Sequence, residues 1–403
     1  MQNSISDSGS SKIVQVTAYS VLFSIASAHF INDLLQSIIP SVYPLLKEKY
    51  ALSFVEIGMI TFTYQIMASL LQPVVGAQTD KKPRPYSLII GMIFSMTGII
   101  SLAYAHHLSM IILSVAMIGI GSSIFHPEAS RVAYLASGGK RGLAQSIFQL
   151  GGNAGTAIGP LLVALIVVPN GQQYIVWFFI FAIIGMLVLS RIAKWYQAHL
   201  KFRAKNKSAI HEHHPQLSKK QVKRSIAILL VLIFSKYFYM VSLTNYFTFY
   251  LIEKFHVSIK ESQYHLFIFL AAIALGTLLG GPLGDKFGRK YIIWLSILGA
   301  APFALILPYA DLFWTGVLSI IIGLIISSAF PAILVYAQEL LPGKIGMVSG
   351  LFYGFAFGIA GLGSAILGYL ADQTSIEYVY EIVAFLPIIG IITYFLPNLK
   401  EHS

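Results

Sequence analysis

Residues 28–40 read AHFINDLLQSIIP, inside a run that is otherwise almost wholly apolar. Asn32, Asp33 and Gln36 follow His29 by three, four and seven positions, so on a helix all four share one face. An ionisable group at a helix centre costs about 2.5–3.5 kcal/mol to insert in a bilayer, so it usually faces a cavity and works there. Asp33 is therefore a candidate proton carrier with His29 beside it, and Asn32 and Gln36 are candidate substrate ligands. The plainer reading is a hydrogen-bonded contact between helices.

Three more apolar segments carry polar sets. GSSIFHPEASRVAY holds His126, Glu128 and Arg131, the last two spaced to pair on one helix surface, with Pro127 between. Glu128 and His126 join the proton-carrying candidates. Arg131 is read both as their switch and as a partner for an anion. IFSKYFYMVSLTNYFTFY places Lys236, Tyr239, Leu243 and Tyr246 in a stripe, and LVYAQELLPGK offers Tyr336, Gln338 and Glu339. Lys236 is a candidate anion ligand, with Tyr239, Tyr246, Tyr336 and Gln338 as further substrate contacts. The tyrosines equally suit packing, and Glu339 suits capture of a loop cation.

The elements that would position these residues are membrane helices. The chain is 403 residues long, 56% hydrophobic and 11% charged, with a mean hydropathy of +0.74. Apolar runs near or above the ~20 residues that cross a bilayer recur at 86–105, 143–168, 174–190, 225–252, 291–310 and 376–397. About twelve transmembrane helices are expected, in an all-α membrane protein. The polar first sixteen residues and the length of the first apolar run argue against a cleaved signal.

The net charge of +11 sorts by loop. Lys81, Lys82, Arg84, Lys140, Arg141, Lys286, Arg289, Lys290 and Lys344 fall on one side with the basic central loop, and Lys47, Lys49, Lys254 and Lys260 on the other. This asymmetry places both termini in the cytoplasm. The basic charge is then topology, and no nucleic-acid partner is expected. Without cysteine there is no disulfide or thiolate metal site. HEHHP at 211–215 lacks the HExxH spacing of two imidazoles on one helical face, so no metal site and no cofactor is expected.

A polar, basic stretch divides the chain into residues 1–196, a cytoplasmic linker at 197–222, and residues 223–403. The halves echo one another. GAQTDKKPR and GPLGDKFGR match at Gly76 with Gly281, Asp80 with Asp285 and Arg84 with Arg289, always displaced by 205 positions. SGGKRGLAQS and LPGKIGMVSG match at a displacement of 204. Such parallel repeats imply two pseudo-symmetric six-helix bundles, with the substrate site between them. The aspartates and arginines suit charge-assisted bonds to helix ends, a latch that makes and breaks as the bundles rock. Gly151, Gly155 and Gly159, four apart in GGNAGTAIGP before Pro160, suit close helix approach.

These stretches, with SSIFHPEASRVAYLASGGKRGLAQSIFQLGGNAGTAIGPLL, IFSKYFYM, GDKFGRKYIIW and AILVYAQELLPGKIGMVSGLFYGFAFG, resemble bacterial drug efflux transporters of the major facilitator superfamily. The likeness covers nearly the whole chain outside the N-terminal tail and central loop. It implies a monomer of the bacterial inner membrane that exports a phosphonate antibiotic in exchange for protons by alternating access. It also implies that the first, fourth, seventh and tenth helices line the cavity. The glycine run resembles the fifth-helix motif of drug/proton antiporters, and the repeated loop resembles the superfamily's cytoplasmic loop motif, with Pro83 where glycine is usual. The alternative is a proton-coupled importer or exchanger of a natural organic anion on the same fold. A membrane enzyme would need a nucleophile elbow, a metal cluster or a phosphate loop, and none is read here.

Overall fold

The computed structural model describes residues 17–399 apart from 53, 206–216 and 258, and among them there is no strand. In hydrocarbon each backbone N–H and C=O must find a partner within its own segment, and helices achieve this. Twelve long helical runs follow in order. The first half holds α1 (Tyr19–Ser41), α2 (Phe54–Leu70, continued by Gln72–Lys81), α3 (Ser87–Ala103), α4 (Leu108–Ala136), α5 (Arg141–Leu162) and α6 (Phe179–Lys205). The second holds α7 (Lys219–Asn245), α8 (Ile259–Phe287), α9 (Arg289–Leu298, continued by Ala301–Ile306), α10 (Leu312–Ser327, continued by Ala329–Leu340), α11 (Ile345–Gln373) and α12 (Ile376–Val383, continued by the 3-10 stretch Leu386–Phe395).

Nine of these runs are long and apolar enough to cross a membrane, and α3 is apolar but shorter. The other two, α2 and α5, are diluted by Gln65, Gln72 and Gln78, and by Gln145, Gln149 and Asn153. Their position explains the difference: α2 packs along α11 and α5 along α8, so one face of each meets the other half rather than lipid. Elsewhere the medium is read from the surface. Phe23, Leu113, Leu187, Leu275, Leu295 and Ile391 are all exposed on it, a belt that only lipid tolerates at this extent.

Local signals account for the breaks and starts. Pro73 sits at the start of the second segment of α2, where its missing N–H costs least. The α7 start is a capping box: Ser218 Oγ accepts from Gln221 N at 3.2 Å and Gln221 Oε1 accepts from Ser218 N at 2.9 Å. Asp311 caps α10 with its side chain alone, Oδ1 accepting from Trp314 N at 2.8 Å. The polar residues at both ends of the expected linker are helical, since α6 reaches Lys205 and α7 begins at Lys219. The histidines of HEHHP lie outside the described residues.

Candidate functional site

Glycines seat the site. A Cβ on Gly151 would fall 2.1 Å from Ala26 O, and one on Gly155 the same distance from Phe30 O, so α5 touches the α1 backbone only because these side chains are absent. Gly159 meets Ser37 likewise. Pro160 follows within α5. Close approach sets His29 of α1 on α5: its ring stacks on Phe148 at 4.0 Å, and its Nδ1 lies 2.8 Å from Phe148 O.

Asp33, one turn on, joins both histidines. Its Oδ2 is 3.2 Å from His29 Nε2 and its Oδ1 is 3.5 Å from His126 Nε2, on α4. His126 Nδ1 lies 3.0 Å from Ser122 O. A carbonyl oxygen only accepts, so each Nδ1 carries hydrogen and donates it to backbone. Both Nε2 atoms therefore face the carboxylate. With both rings neutral and Asp33 ionised, lone pairs would oppose lone pairs at two places, and each proton added there turns one of the two oppositions into a hydrogen bond.

Polar groups continue from it. Asn32 Nδ2 donates to Asp33 Oδ1 at 2.9 Å, and Gln36 Oε1 accepts from Tyr64 OH at 2.5 Å and from Ser122 Oγ at 3.2 Å. Asn32 Oδ1 and Gln36 Nε2 stay buried without a protein hydrogen bond. Although no metal site was expected, the ligand atoms of His29, Asp33 and His126 lie within 4.8 Å of one another.

Across the interface, α7 contributes Lys236, which is 4% exposed. Its ammonium lies 5.1 Å from the Tyr237 ring centre and 5.4 Å from that of Phe330 on α10. Among the described residues it meets no carboxylate. Phe330 touches Tyr353 of α11 at 5.0 Å, and Tyr353 touches His126 at 5.2 Å. Aromatic rings thus connect the cation of one half with the triad of the other. The Tyr353 hydroxyl donates to Gln149 Oε1 at 2.6 Å and accepts from Gln145 Nε2 at 2.9 Å, both on α5.

The structure moves Glu128 and Arg131 out of the expected cavity. Arg131 pairs with Glu128 at 3.1 Å and with Asp80, donates to Thr79 O at 2.6 Å and reaches Tyr196 OH at 3.3 Å. Both lie at the end of the molecule where the repeated loops meet. There Asp80 accepts from the N–H groups of Gly346 and Met347 at 3.0 and 2.8 Å, opening α11. Asp285 accepts from Gly142 and Leu143 N–H at 2.9 and 3.0 Å, opening α5. Each aspartate caps a helix of the opposite half, where N–H groups point outward unpaired. Gly76 and Gly281 let this happen, since a Cβ on either would fall within 2.0 Å of the facing backbone.

The two loop copies differ in their arginines. Arg289 reaches Asp285 at 3.2 Å and Glu339 at 3.0 Å, and Glu339 also binds Arg141 of the first half at 3.0 Å. Arg84 is exposed and makes no ion pair with a described carboxylate. Gly288, at φ +93, turns the second loop back so that Arg289 opens α9. Proline, locked near −65°, stands at that place in the first copy as Pro83.

Other expected contacts also lie elsewhere. Tyr239 sits in the second apolar core with Tyr250 and Tyr380. Tyr336 donates to Pro397 O at 2.5 Å. Gln338 joins Ser130 and Ser349 at 3.2 and 2.9 Å, bridging the halves near the loop end. Tyr246 is half-buried at the far end of α7. Of the residues read from sequence, the geometry gathers His29, Asn32, Asp33, Gln36 and His126, and sets Lys236 across from them. Tyr237, Phe330, Tyr353, Gln145 and Gln149 were missed: they are aromatic or amide residues in helices whose sequence reads as packing.

A model of the Major Facilitator Superfamily matches residues 25–260 and 238–403. The chain belongs to the Major Facilitator Superfamily. It is 56% identical over 388 residues to the fosmidomycin resistance protein of Escherichia coli, covering 96% of this chain and 95% of that one. It is 45% identical over 384 residues to the MFS-type transporter YfnC of Bacillus subtilis, covering 95% and 94%. Among solved structures, the major facilitator FucP in its outward conformation superposes with a TM-score of 0.72 at 14% identity, over 94% of this chain and 98% of that one; this shows the fold. As a major facilitator, the protein is a membrane-spanning transporter of a small molecule and not an enzyme.

Proposed function

We propose that the chain exports fosmidomycin, a phosphonate antibiotic, in exchange for protons. The observation that carries this reading is the 56% identity, over nearly the full length of both chains, with the E. coli fosmidomycin resistance protein. The site chemistry supports it. Lys236 meets the negative charge of a phosphonate, with the free Asn32 Oδ1 and Gln36 Nε2 as additional partners. A phosphonate monoanion also retains an O–H. That hydroxyl supplies the hydrogen which the deprotonated triad lacks, so cargo and proton are alternatives at His29, Asp33 and His126. Mutual exclusion at one site is what exchange requires, and by linkage each lowers the other's affinity.

In this reading the protein is a monomer of the bacterial inner membrane, with both termini cytoplasmic by the loop-charge asymmetry. Residues 1–196 and 223–403 rock against each other as two six-helix units joined by the basic 197–222 linker. The loop end is the cytoplasmic side, and its closed Asp80 and Asp285 caps describe an outward-facing state. The glycine-seated contact of α5 on α1, from Gly151 to Gly159 with Pro160 after it, is antiporter-type.

The test is purified protein in liposomes under an imposed pH gradient, following fosmidomycin and proton flux together, for the parent and Lys236→Ala. Opposed, cargo-dependent fluxes lost in the variant are expected. Proton flux driven by another anion and never by fosmidomycin would leave the transporter and remove the cargo.

A further inference from the structure

We infer that His29, His126 and Asp33 form a binding site for a divalent transition-metal ion of the zinc class. The inference depends neither on the cargo nor on proton coupling. Its first support is an unmet valence: His29 Nε2 and His126 Nε2 are both buried, on residues 2% and 0% exposed, and neither has a hydrogen-bond partner. Both lone pairs converge on one carboxylate.

Distances fit the ion. With metal–ligand bonds of about 2.0–2.2 Å, neighbouring ligand atoms of a tetrahedral zinc site lie roughly 3.3–3.5 Å apart. His29 Nε2 lies 3.2 Å from Asp33 Oδ2 and His126 Nε2 lies 3.5 Å from Asp33 Oδ1, so each nitrogen has one oxygen of the carboxylate at that spacing. All three ligand atoms, with one oxygen taken from the carboxylate, fall within 4.8 Å of one another.

The outer contacts match as well. Metal-binding imidazoles almost always donate their other ring N–H to a carbonyl or carboxylate, which fixes the tautomer and the aim of the lone pair. Both histidines do this, to Phe148 O at 2.8 Å and Ser122 O at 3.0 Å. His29 is further fixed by its stack on Phe148. Asp33 is 17% exposed at its side chain, which leaves the open side of the set for water or an exchangeable ligand. Two imidazoles and one carboxylate suit Zn²⁺, Co²⁺ or Ni²⁺, whereas Mg²⁺ and Ca²⁺ prefer oxygen alone.

The probe is Co²⁺, titrated into purified full-length protein in detergent and read by visible absorption. His211, His213 and His214 of the central loop also offer imidazoles, so the parent for this test carries His211→Gln, His213→Gln and His214→Gln and no affinity tag. One equivalent of Co²⁺ is expected to give the intense bands of a four-coordinate site. Zn²⁺ should bleach them and Mg²⁺ should not. His126→Gln is expected to abolish the bands; should that variant fail to fold, Asp33→Asn reads the same site by shifting and weakening them. A parent without such bands, or bands unchanged in the variants, would overturn the site.

Discussion

Tyr353 of α11 rests its ring on the His126 imidazole of α4, with centroids 5.2 Å apart. With Phe357, also 5.2 Å from His126, it brings the second half onto the triad of the first. Its hydroxyl ties the same contact to α5 through Gln145 and Gln149.

Tyr353→Phe keeps the ring and removes both hydrogen bonds, each worth about 0.5–1.5 kcal/mol net. The closed loop end is expected to lose population to the open one. The chain has no cysteine, so spin labels on Lys140→Cys and Lys344→Cys, both exposed at that end, report the change as a longer inter-label distance. An unchanged distance distribution would remove Tyr353 from the closure.

The aspartate caps predict an asymmetric response to arginine removal. Asp80→Asn and Asp285→Asn should each weaken a charge-assisted cap across the halves and lengthen the same label distance. Arg289→Ala should do so too, because it strips Asp285 and Glu339 of a cation. Arg84→Ala should leave the distribution as it is. Equal effects of the two arginine variants would contradict the loop geometry.

Proton exchange should depend on Asp33 and not on Glu128. Asp33→Asn removes the anion that both imidazoles face, so fosmidomycin binding is expected to persist while a pH gradient no longer drives transport. Glu128→Gln leaves the triad intact and should act on loop-end closure. Full coupling in Asp33→Asn liposomes would refute this assignment.

Gly155→Ala and Gly358→Ala separate packing from helix propensity. The first forces a methyl to within 2.1 Å of Phe30 O, and the second meets nothing within 4 Å. Overpacking costs typically about 1–3 kcal/mol, so Gly155→Ala should lower the detergent Tm. Gly358→Ala should hold or raise it, since alanine favours a helix interior by roughly 0.5–1 kcal/mol over glycine. Equal melting temperatures would mean that α5 can retreat from α1 without cost.

Much of the fold was legible because lipid imposes a simple demand, an apolar segment of bilayer length, and because the loop around Asp80 recurs around Asp285. Helical spacing likewise disclosed His29 with Asp33, which belong to one helix. Partners from other helices were harder. Arg131 reads as a cavity cation on the same segment as His126, yet depth along the axis, which spacing does not reveal, sends it to Asp80. Tyr353 was hidden for another reason: α11 lies outside the every-third-helix set, and a tyrosine among Phe352, Phe355 and Phe357 reads as core. Tyr336 failed in the reverse direction, since its hydroxyl is taken by Pro397 O.

The two loops, alike in sequence, borrow their positive charge differently. Asp285 finds Arg289 in its own loop, whereas Asp80 finds Arg131 on α4, five residues beyond His126 and about 7.5 Å along the helix axis. One helix therefore carries a handle at the loop end and a finger in the buried triad. Tilting α4 enough to part Arg131 from Asp80 also shifts His126 against Asp33. Among the described residues Asp285 of the second half takes its arginine from its own loop instead, so the link between the loop end and the buried His29, Asp33 and His126 runs through the first half.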